Sequence, residues 1–328
     1  MKNIFKKWIV ILTITVLGLG AIACGKEEMP QEVRVGSLKG PTSIGLVELM
    51  ERAEYNETSN NYSFTMEVAA DTLLTMMIQK DLDIALVPAN VASVLYNKTE
   101  GQIVVIDINT LGVLYMISGD DSVEEISDLQ GKTIYLTGKG TTPDYVLQYV
   151  LEENGLTMDD VTLEYKSEAT EVAAVLTSDE TAIGLLPQPF VTATMVKNEK
   201  LNVVFDMNEE WNKLQGENGS KMVTGVTVVR KEFLEENETA VKLFLEDHKQ
   251  SAEYVNENVE AAAALVVKTG IIEKEPIAKK AIPNCNITYV DGEEMQKALS
   301  GYLGVLYQKD AKAVGGNLPG EDFYYLSK

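Results

Sequence analysis

Apolar and polar positions follow a strand–loop–helix pattern that occurs twice along the chain. In VRVGSLKGPTSIGLVELM, which begins at residue 33, the pattern predicts a strand over residues 33–36 and a helix that starts at Thr42 or Ser43. In KTIYLTGKGTTPDYVLQYVL, which begins at residue 132, it predicts a strand over residues 133–136 and a helix opened by Pro143. Both loops contain Lys-Gly, so the two segments predict two related units.

A second pair of segments repeats this order. DIALVPANVASVLY (residues 83–96) and AIGLLPQPFVTATM (residues 182–195) each predict an apolar strand that ends at proline and turns into a helix. Two units that each supply two strand-to-helix loops predict two lobes facing one another across a cleft. The other periodic segments also alternate between strand and helix, which is typical of an α/β protein with a mostly parallel sheet.

Two further segments predict where the chain passes between the lobes. The polar break GDDS at residues 119–122 is where we expect the chain to enter the second lobe. Residues 221–229 (KMVTGVTVV) predict a strand that returns to the first lobe, and the C-terminal part that follows is mainly helical. The expected organisation is a discontinuous first lobe (residues 32–118 and 223–328) with a second lobe (residues 119–222) inserted.

The first residues are expected to be a targeting segment. Three lysines precede an apolar run over residues 8–23, which is short for a membrane span. AIACG at residues 21–25 resembles a bacterial lipobox with Cys24 as the lipidated residue, although such motifs prefer leucine where Ala21 stands. The alternative is an ordinary cleaved signal peptide (residues 1–23) with an incidental cysteine. Residues 24–31 would then form a polar tether.

Charge and cysteine content narrow the possible partners. The net charge is −22, and removal of residues 1–23, which carry three lysines and no acid, makes it −25. Such an acidic surface repels phosphate backbones, so we expect no nucleic-acid partner. With Cys24 lipidated, Cys285 has no cysteine to pair with, which excludes a disulfide scaffold. We expect Cys285 to be a buried small side chain rather than a nucleophile.

The order of the motifs resembles the substrate-binding lipoproteins of ABC importers, in particular the nitrate/sulfonate/taurine and thiamine-precursor branch. The resemblance rests on GSLKGPTS, LVPAN, TGKGTTPDYVLQYVLEENGL, LLPQPFVTA and VTGVTVV, and it covers nearly the whole mature chain. It implies the type II periplasmic-binding-protein fold, with two α/β lobes and a ligand cleft between them. That branch commonly shows Pro-Glu-Pro where this chain has Gln188 between two prolines, so a carboxylate near the expected cleft is replaced by an amide.

Polar residues at the predicted helix starts are the main candidate ligand contacts. Free N–H groups and the helix dipole favour anions and hydrogen-bond acceptors there, beyond the carboxyl ends of the strands. The same side chains are common helix caps, lysines are commonly solvated, and aromatic residues commonly pack in a core, so these alternatives stay open. The expected ligand-binding set is Lys39, Gly40, Thr42, Ser43, Asn90, Tyr115, Gly140, Thr141, Thr142, Gln188, Phe190 and Thr224.

Other kinds of chemistry have little support in the sequence. His248, the one histidine, falls in a charged helical segment where we expect it to face solvent, so neither a metal site nor a histidine-activated nucleophile is predicted. Trp211 lies in a polar helical segment and is expected to cover a lobe edge. Neither Lys-Gly loop has P-loop spacing. The three arginines, Arg34, Arg52 and Arg230, lie outside the predicted cleft loops, so no arginine clamp on a carboxylate is evident.

The expected function is that of an extracytoplasmic lipoprotein, anchored to the bacterial cell membrane through Cys24. It would capture a small organic solute between its lobes and deliver it to an ABC permease and its ATPase. We expect a monomer without catalytic residues, cofactor or metal, and the scarcity of arginine favours a neutral or heteroaromatic solute. Two alternatives stay open: an enzyme of cofactor-precursor metabolism on the same fold, and a ligand-sensing lipoprotein that a membrane partner recognises.

Overall fold

Two β-sheets organise the residues that the computed structural model describes, which are 30–216 and 219–326. The expected signal peptide and Cys24 lie outside the described residues. Within the described part of the chain, no helix has the length and apolar character needed to cross a membrane. The strands are β1 (Glu32–Leu38), β2 (Asn61–Glu67), β3 (Ile84–Pro88), β4 (Ile103–Leu111), β5 (Leu114–Ser118), β6 (Thr133–Thr137), β7 (Thr162–Lys166), β8 (Ile183–Pro187), β9 (Asn202–Asp206), β10 (Val223–Arg230) and β11 (Ile287–Val290).

Helices cover the faces of both sheets. They are α1 (Pro41–Ile44), α2 (Val47–Glu54), α3 (Ala70–Ile78), α4 (Ala89–Lys98), α5 (Thr142–Glu153), α6 (Ala169–Ser178), α7 (Phe190–Lys197), α8 (Met207–Gln215), α9 (Lys231–Glu236), α10 (Glu238–Glu257), α11 (Val259–Lys268), α12 (Glu275–Ala281) and α13 (Gly292–Lys309). Short 3-10 helices occur at Ile126–Leu129, Ile282–Asn284, Ala311–Val314 and Glu321–Phe323.

The first lobe is built on a six-stranded sheet in the order β11-β4-β10-β3-β1-β2. Strand β1 runs parallel to β2 and β3, whereas β10 is antiparallel to both β3 and β4. Helices α2 and α10 cover one face, and α3, α4 and α13 cover the other. The strand expected over residues 221–229 therefore lies in the middle of the first sheet as β10.

The second lobe is built on a five-stranded sheet in the order β7-β6-β8-β5-β9. Strand β5 pairs with β8 and β9, so the chain leaves the first sheet between β4 and β5. The expected entry point at residues 119–122 would have left β5 in the first sheet and is too late. The pattern of β5 could not decide this, because all five of its residues are buried and the strand is apolar on both faces.

The expectation of mostly parallel sheets is wrong, because each sheet is mixed. The strands that carry the chain between lobes, β5 and β10, enter antiparallel to both of their neighbours. Parallel pairs are confined to the repeated units, β1 with β2 and β3 and β6 with β7 and β8. The repeated segments thus predicted the parallel core of each lobe but not the crossing strands.

Two expectations about single residues are corrected by their burial. His248 is 0% exposed, and its Nδ1 lies 3.1 Å from Asp107 Oδ2, because the apolar face of α10 turns it towards the sheet. Trp211 is also fully buried and packs between the rings of Tyr149 and Tyr302, at centroid distances of 4.6 Å and 5.4 Å. Cys285 is buried as expected, and burial raises the pKa of its thiol to about 12.

Candidate ligand-binding site

The loop between β1 and α1 uses its hydroxyl groups internally. Thr42 Oγ1 donates to Leu38 O at 2.9 Å, and Ser43 Oγ lies 2.6 Å from the same oxygen and 2.8 Å from Ser37 Oγ. Thr42 and Ser43 are both buried, whereas Lys39 is exposed. Neither hydroxyl caps helix α1, since both bond the last carbonyl of β1 and so hold the end of that strand rather than face open space.

Strand β10 approaches this loop closely. A Cβ on Gly225 would lie 2.5 Å from Thr42 Cγ2 and 2.4 Å from Asn109 Oδ1, so a larger side chain has no room there. Thr224, the preceding residue, is half-buried. Behind Asn109, a buried chain of hydrogen bonds runs through Thr227 to Asp107, the partner of His248. Asn109 was not predicted, since its neighbours come from distant parts of the sequence.

A buried carboxylate holds the loop between β6 and α5. Asp144, which is 3% exposed, accepts from the Gly140 N–H, the Tyr165 hydroxyl and Gln148 Nε2, each at 2.8 Å. Gly140 has a φ of +69°, a conformation that glycine adopts without strain. Thr141 is exposed and donates to a carbonyl within its own loop. Asp144 was missed, although an acid in the first turn of a helix is a recognisable capping signal.

The starts of α4 and α5, one from each lobe, both contact the 3-10 helix that follows α13. Asn90 Nδ2 donates to Ala313 O at 3.3 Å, and Tyr145 Oη donates to Asp310 Oδ2 at 3.1 Å. A Cβ on Gly140 would lie 3.7 Å from Tyr145 Oη. The segment 310–313 therefore contacts Asn90 of the first lobe and Tyr145 of the second, and Gly140 lies beside Tyr145.

Thr142 lies at the contact between α5 and α13. Tyr302, on α13, is 1% exposed, and its hydroxyl has no hydrogen-bond partner among the described residues. Burial raises the pKa of Tyr302, and the nearby Thr142 hydroxyl opposes that rise in part. The ring of Tyr302 packs against Trp211 of the second lobe. This part of the interface between the lobes is thus closed around polar groups that are not fully satisfied.

Tyr115 and Gln188 come together elsewhere, in a pocket of about 490 Å³ beside α7. Gln188 is 3% exposed, and Tyr115 Oη donates to Asn284 O at 2.8 Å. Phe190, at the start of α7, is 37% exposed and does not line this pocket. The pocket is lined by Tyr115, Gln188, Val191, Thr192, Met195, Val196, Glu199, Leu201, Asn202, Val203, Lys280 and Asn284.

The predicted set therefore divides into separate places. Asn90 and Thr142 lie at the junction between the lobes, and Gly140 is held by Asp144 beside Tyr145. Thr42 and Ser43 are tied to β1, and Tyr115 and Gln188 line the pocket beside α7. Gly40 is half-buried at the end of the first loop. In the part of the chain that the structure describes, no three or more metal-ligating side chains cluster together.

Solved structures define the class of the fold. The chain is similar to a protein described as an ABC transporter from Parabacteroides distasonis, with a TM-score of 0.76, 23% identity, and coverage of 91% of this chain and 100% of that one. It is also similar to the periplasmic aliphatic sulphonate binding protein of Escherichia coli, with a TM-score of 0.69, 15% identity, and coverage of 90% and 96%. The fold is therefore the periplasmic-binding-protein fold, with two α/β lobes.

A third structure has the same fold, and a family model identifies the family. The alkanesulfonate-binding protein from Xanthomonas axonopodis pv. citri, solved with bound MOPS, matches with a TM-score of 0.62, 14% identity, and coverage of 89% of this chain and 95% of that one. Residues 41–308 match the family model described as "Menaquinone biosynthesis", and the chain belongs to this family. A comparison with curated proteins gave no match.

Proposed function

We propose that the protein is an extracytoplasmic solute-binding protein that captures a small molecule between its lobes and delivers it to an ABC importer. The observation that carries this proposal is the convergence of Asn90 and Tyr145, from opposite lobes, on the segment 310–313. A solute held at this junction would contact both lobes, and hinge closure would enclose it. Structural neighbours described as transporter or sulfonate-binding proteins support the same use of the fold.

The groups at the junction favour a neutral or heteroaromatic solute. The side chains of Asn90, Thr142 and Tyr302 are neutral donors and acceptors, while the N-terminus of the twelve-residue helix α5 contributes N–H groups and a partial positive charge. Asp310 and the net charge of −22 oppose long-range attraction of anions. Specificity would then come from hydrogen bonds and shape rather than from an ion pair.

Membrane attachment through Cys24 belongs to the same proposal. The lipobox-like AIACG would leave Cys24 as the lipidated first residue of a monomeric protein, with residues 24–31 as a tether that lets the lobes reach a permease. Metabolic labelling with a fatty-acid analogue tests this directly. Incorporation that is lost in Cys24→Ser supports the anchor, and equal labelling of both proteins refutes it.

A thermal-shift screen of the purified protein tests solute capture. The panel would hold sulfonates, nitrate, thiamine-type pyrimidines, flavins, amino acids and simple carboxylates. A solute at 100 times its dissociation constant stabilises the fold by about 2.7 kcal/mol, which gives a clear shift in Tm.

For the solute that binds, Asn90→Ala combined with Thr142→Ala should weaken affinity at least about tenfold. Thr177→Ala, at an exposed position of α6, is the matched control. Unchanged affinity in the double variant refutes the site.

The family match favours a second candidate, an enzyme of cofactor-precursor metabolism on this fold. His248 and Cys285 are both 0% exposed, and the titratable pair beside the junction is Tyr145 and Asp310, which would supply the acid–base groups for this candidate. Mass spectrometry of the solute after incubation distinguishes the candidates. An enzyme converts the solute that stabilises it, and Asp310→Asn abolishes this conversion, whereas a binding protein returns the solute unchanged.

The third alternative is a ligand-sensing lipoprotein. Recognition of the solute-loaded protein by a membrane partner other than an importer would favour it.

A further inference from the structure

The pocket beside α7 joins parts of the chain that belong to different lobes. Tyr115 and Gln188 come from β5 and the end of β8 in the second sheet, whereas Lys280 and Asn284 come from α12 and the 3-10 turn that follows it. Helix α12 packs against α7 at this point. The pocket is thus distinct from the junction at segment 310–313, although both contact the two lobes.

Gln188 presents a hydrogen-bond donor to this pocket. Its Oε1 accepts from Thr192 Oγ1 at 2.8 Å and from the Thr192 N–H at 3.4 Å. A backbone N–H can only donate, so the orientation of the amide is determined and Nε2 is the free end. Gln188 is 3% exposed, and within the described residues Nε2 has no acceptor, yet the atom is not sealed inside the protein. A nearly buried donor without a partner calls for an acceptor from outside the chain.

The remaining lining provides one unpaired cation and an apolar wall. Lys280 has no salt-bridge partner among the described residues, whereas its neighbour Lys279 contacts Glu260 and Glu275. Val196 and Val203 are 44% and 43% exposed and supply apolar surface. A ligand with one negative end and an apolar body complements both features.

We propose that this pocket is a second binding site, which takes a small monocarboxylate with an apolar body. One carboxylate oxygen accepts from Gln188 Nε2, the carboxylate faces Lys280, and the body covers Val196 and Val203. Glu199 at the same pocket disfavours a second negative charge on the ligand. The Gln188 side chain is decisive, because a carboxylate at this position would repel the carboxylate of the ligand. An occupant that touches both Gln188 and Lys280 also connects the two lobes.

Isothermal titration of the purified protein with hexanoate, and with hexanamide as the neutral counterpart, tests the site. We expect hexanoate to bind more tightly than hexanamide. Gln188→Glu keeps the oxygen that accepts from Thr192 but removes the donor, and Lys280→Ala removes the cation; each should weaken hexanoate binding at least about tenfold. Lys279→Ala is the matched control, with no expected change in affinity. Thermal unfolding of each variant establishes that it is folded, and if Gln188→Glu does not fold, Lys280→Ala decides.

The junction variant Asn90→Ala/Thr142→Ala separates this site from the proposed solute site. Hexanoate affinity should be unchanged in that variant, whatever the fate of the transported solute. The proposal is overturned if hexanoate does not bind the wild-type protein at millimolar concentration, if hexanamide binds equally well, or if Lys280→Ala and Lys279→Ala behave alike. Loss of hexanoate binding in the junction variant would also overturn it, since the ligand would then occupy the junction.

Discussion

In the loop after β1, the hydroxyls of Thr42 and Ser43 turn back onto Leu38 O, the last carbonyl of the strand. In the loop after β6, which has the same Lys-Gly and a threonine in the same place, the backbone is held instead by the carboxylate of Asp144. The first loop leads into a helix of four residues, and the second leads into one of twelve. Two loops of similar sequence are therefore held by different groups, the first by its hydroxyls and the second by a carboxylate.

The difference concerns which polar groups remain for a ligand. Where hydroxyls satisfy the strand end, as at Ser43, their donors are already used, and a ligand would have to displace an internal bond. Where a carboxylate further along the helix supports the loop, the hydroxyl of Thr142 is not bound to the strand end and lies beside Tyr302 at the interface between the lobes. The second loop is for this reason the better candidate for solute contact. The hydroxyls of the first loop mainly hold the end of β1.

Asp144→Ala should have the largest effect, since it removes the support of the second loop. The substitution leaves three donors, among them the Gly140 N–H and the Tyr165 hydroxyl, without their charged acceptor. We expect the free energy of unfolding to fall by about 3 kcal/mol in urea denaturation. Asp159→Ala, at an exposed aspartate of the same lobe, is the control. A loss below about 1 kcal/mol, the worth of one ordinary hydrogen bond, would show that Asp144 does not hold the loop.

Gly225→Ala tests the support of the first loop from the side of β10. The new methyl group would lie 2.5 Å from Thr42 Cγ2 and 2.4 Å from Asn109 Oδ1, and both are buried parts of the structure. Overpacking should lower the free energy of unfolding by about 1–2 kcal/mol, also measured in urea. Gly304→Ala is the contrasting variant, because nothing lies within 4 Å of its new Cβ and alanine favours a helix. Equal stability of the two alanine variants would mean that β10 does not confine Thr42.

The local pattern predicted the elements that set up this comparison, but not their partners. The helix expected after the proline-ended strand of residues 182–195 is α7 (Phe190–Lys197), and β10 was expected from the apolar run at residues 221–229. Such elements depend on periodicity, proline and glycine, which are all local signals. The sheet to which β5 belongs was mispredicted, since a strand buried on both faces fits either lobe.

The burial of His248 shows the same limit for a single side chain. The spacing of Phe244, His248 and Ala252 places them on one face of α10, which periodicity could have indicated. Its partner Asp107 lies 141 residues earlier in the chain, and no local rule connects them. The contacts of segment 310–313 at the junction between the lobes could not be predicted either, because irregular backbone carries no periodic signal.

Ser43→Ala should have a moderate effect on stability. Ser43 is fully buried, and its hydroxyl contacts Leu38 O and Ser37 Oγ, so its loss should cost about 1 kcal/mol of unfolding free energy. Thr141→Ala in the second loop removes an exposed hydroxyl and should change stability by less than about 0.5 kcal/mol. Thermal unfolding measured side by side checks the order. The reverse order would contradict the view that the first loop, and not the second, depends on its hydroxyls.

The smallest change in stability, and the sharpest comparison, comes from the paired variants Thr42→Val and Thr142→Val. Valine has the shape of threonine without the hydroxyl. Thr42→Val loses the bond to Leu38 O and should cost about 0.5–1 kcal/mol, with no change in solute affinity beyond about twofold. Thr142→Val should leave the free energy of unfolding within about 0.5 kcal/mol of the wild type but weaken solute binding several-fold. Unfolding and titration of both variants are needed, because each predicts an effect in the assay where the other predicts none. If both variants lose solute affinity equally, the two loops act as equivalent halves of one site, as their sequences suggest. The distinction between a first loop that only holds the end of β1 and a second loop that contacts the solute would then be wrong.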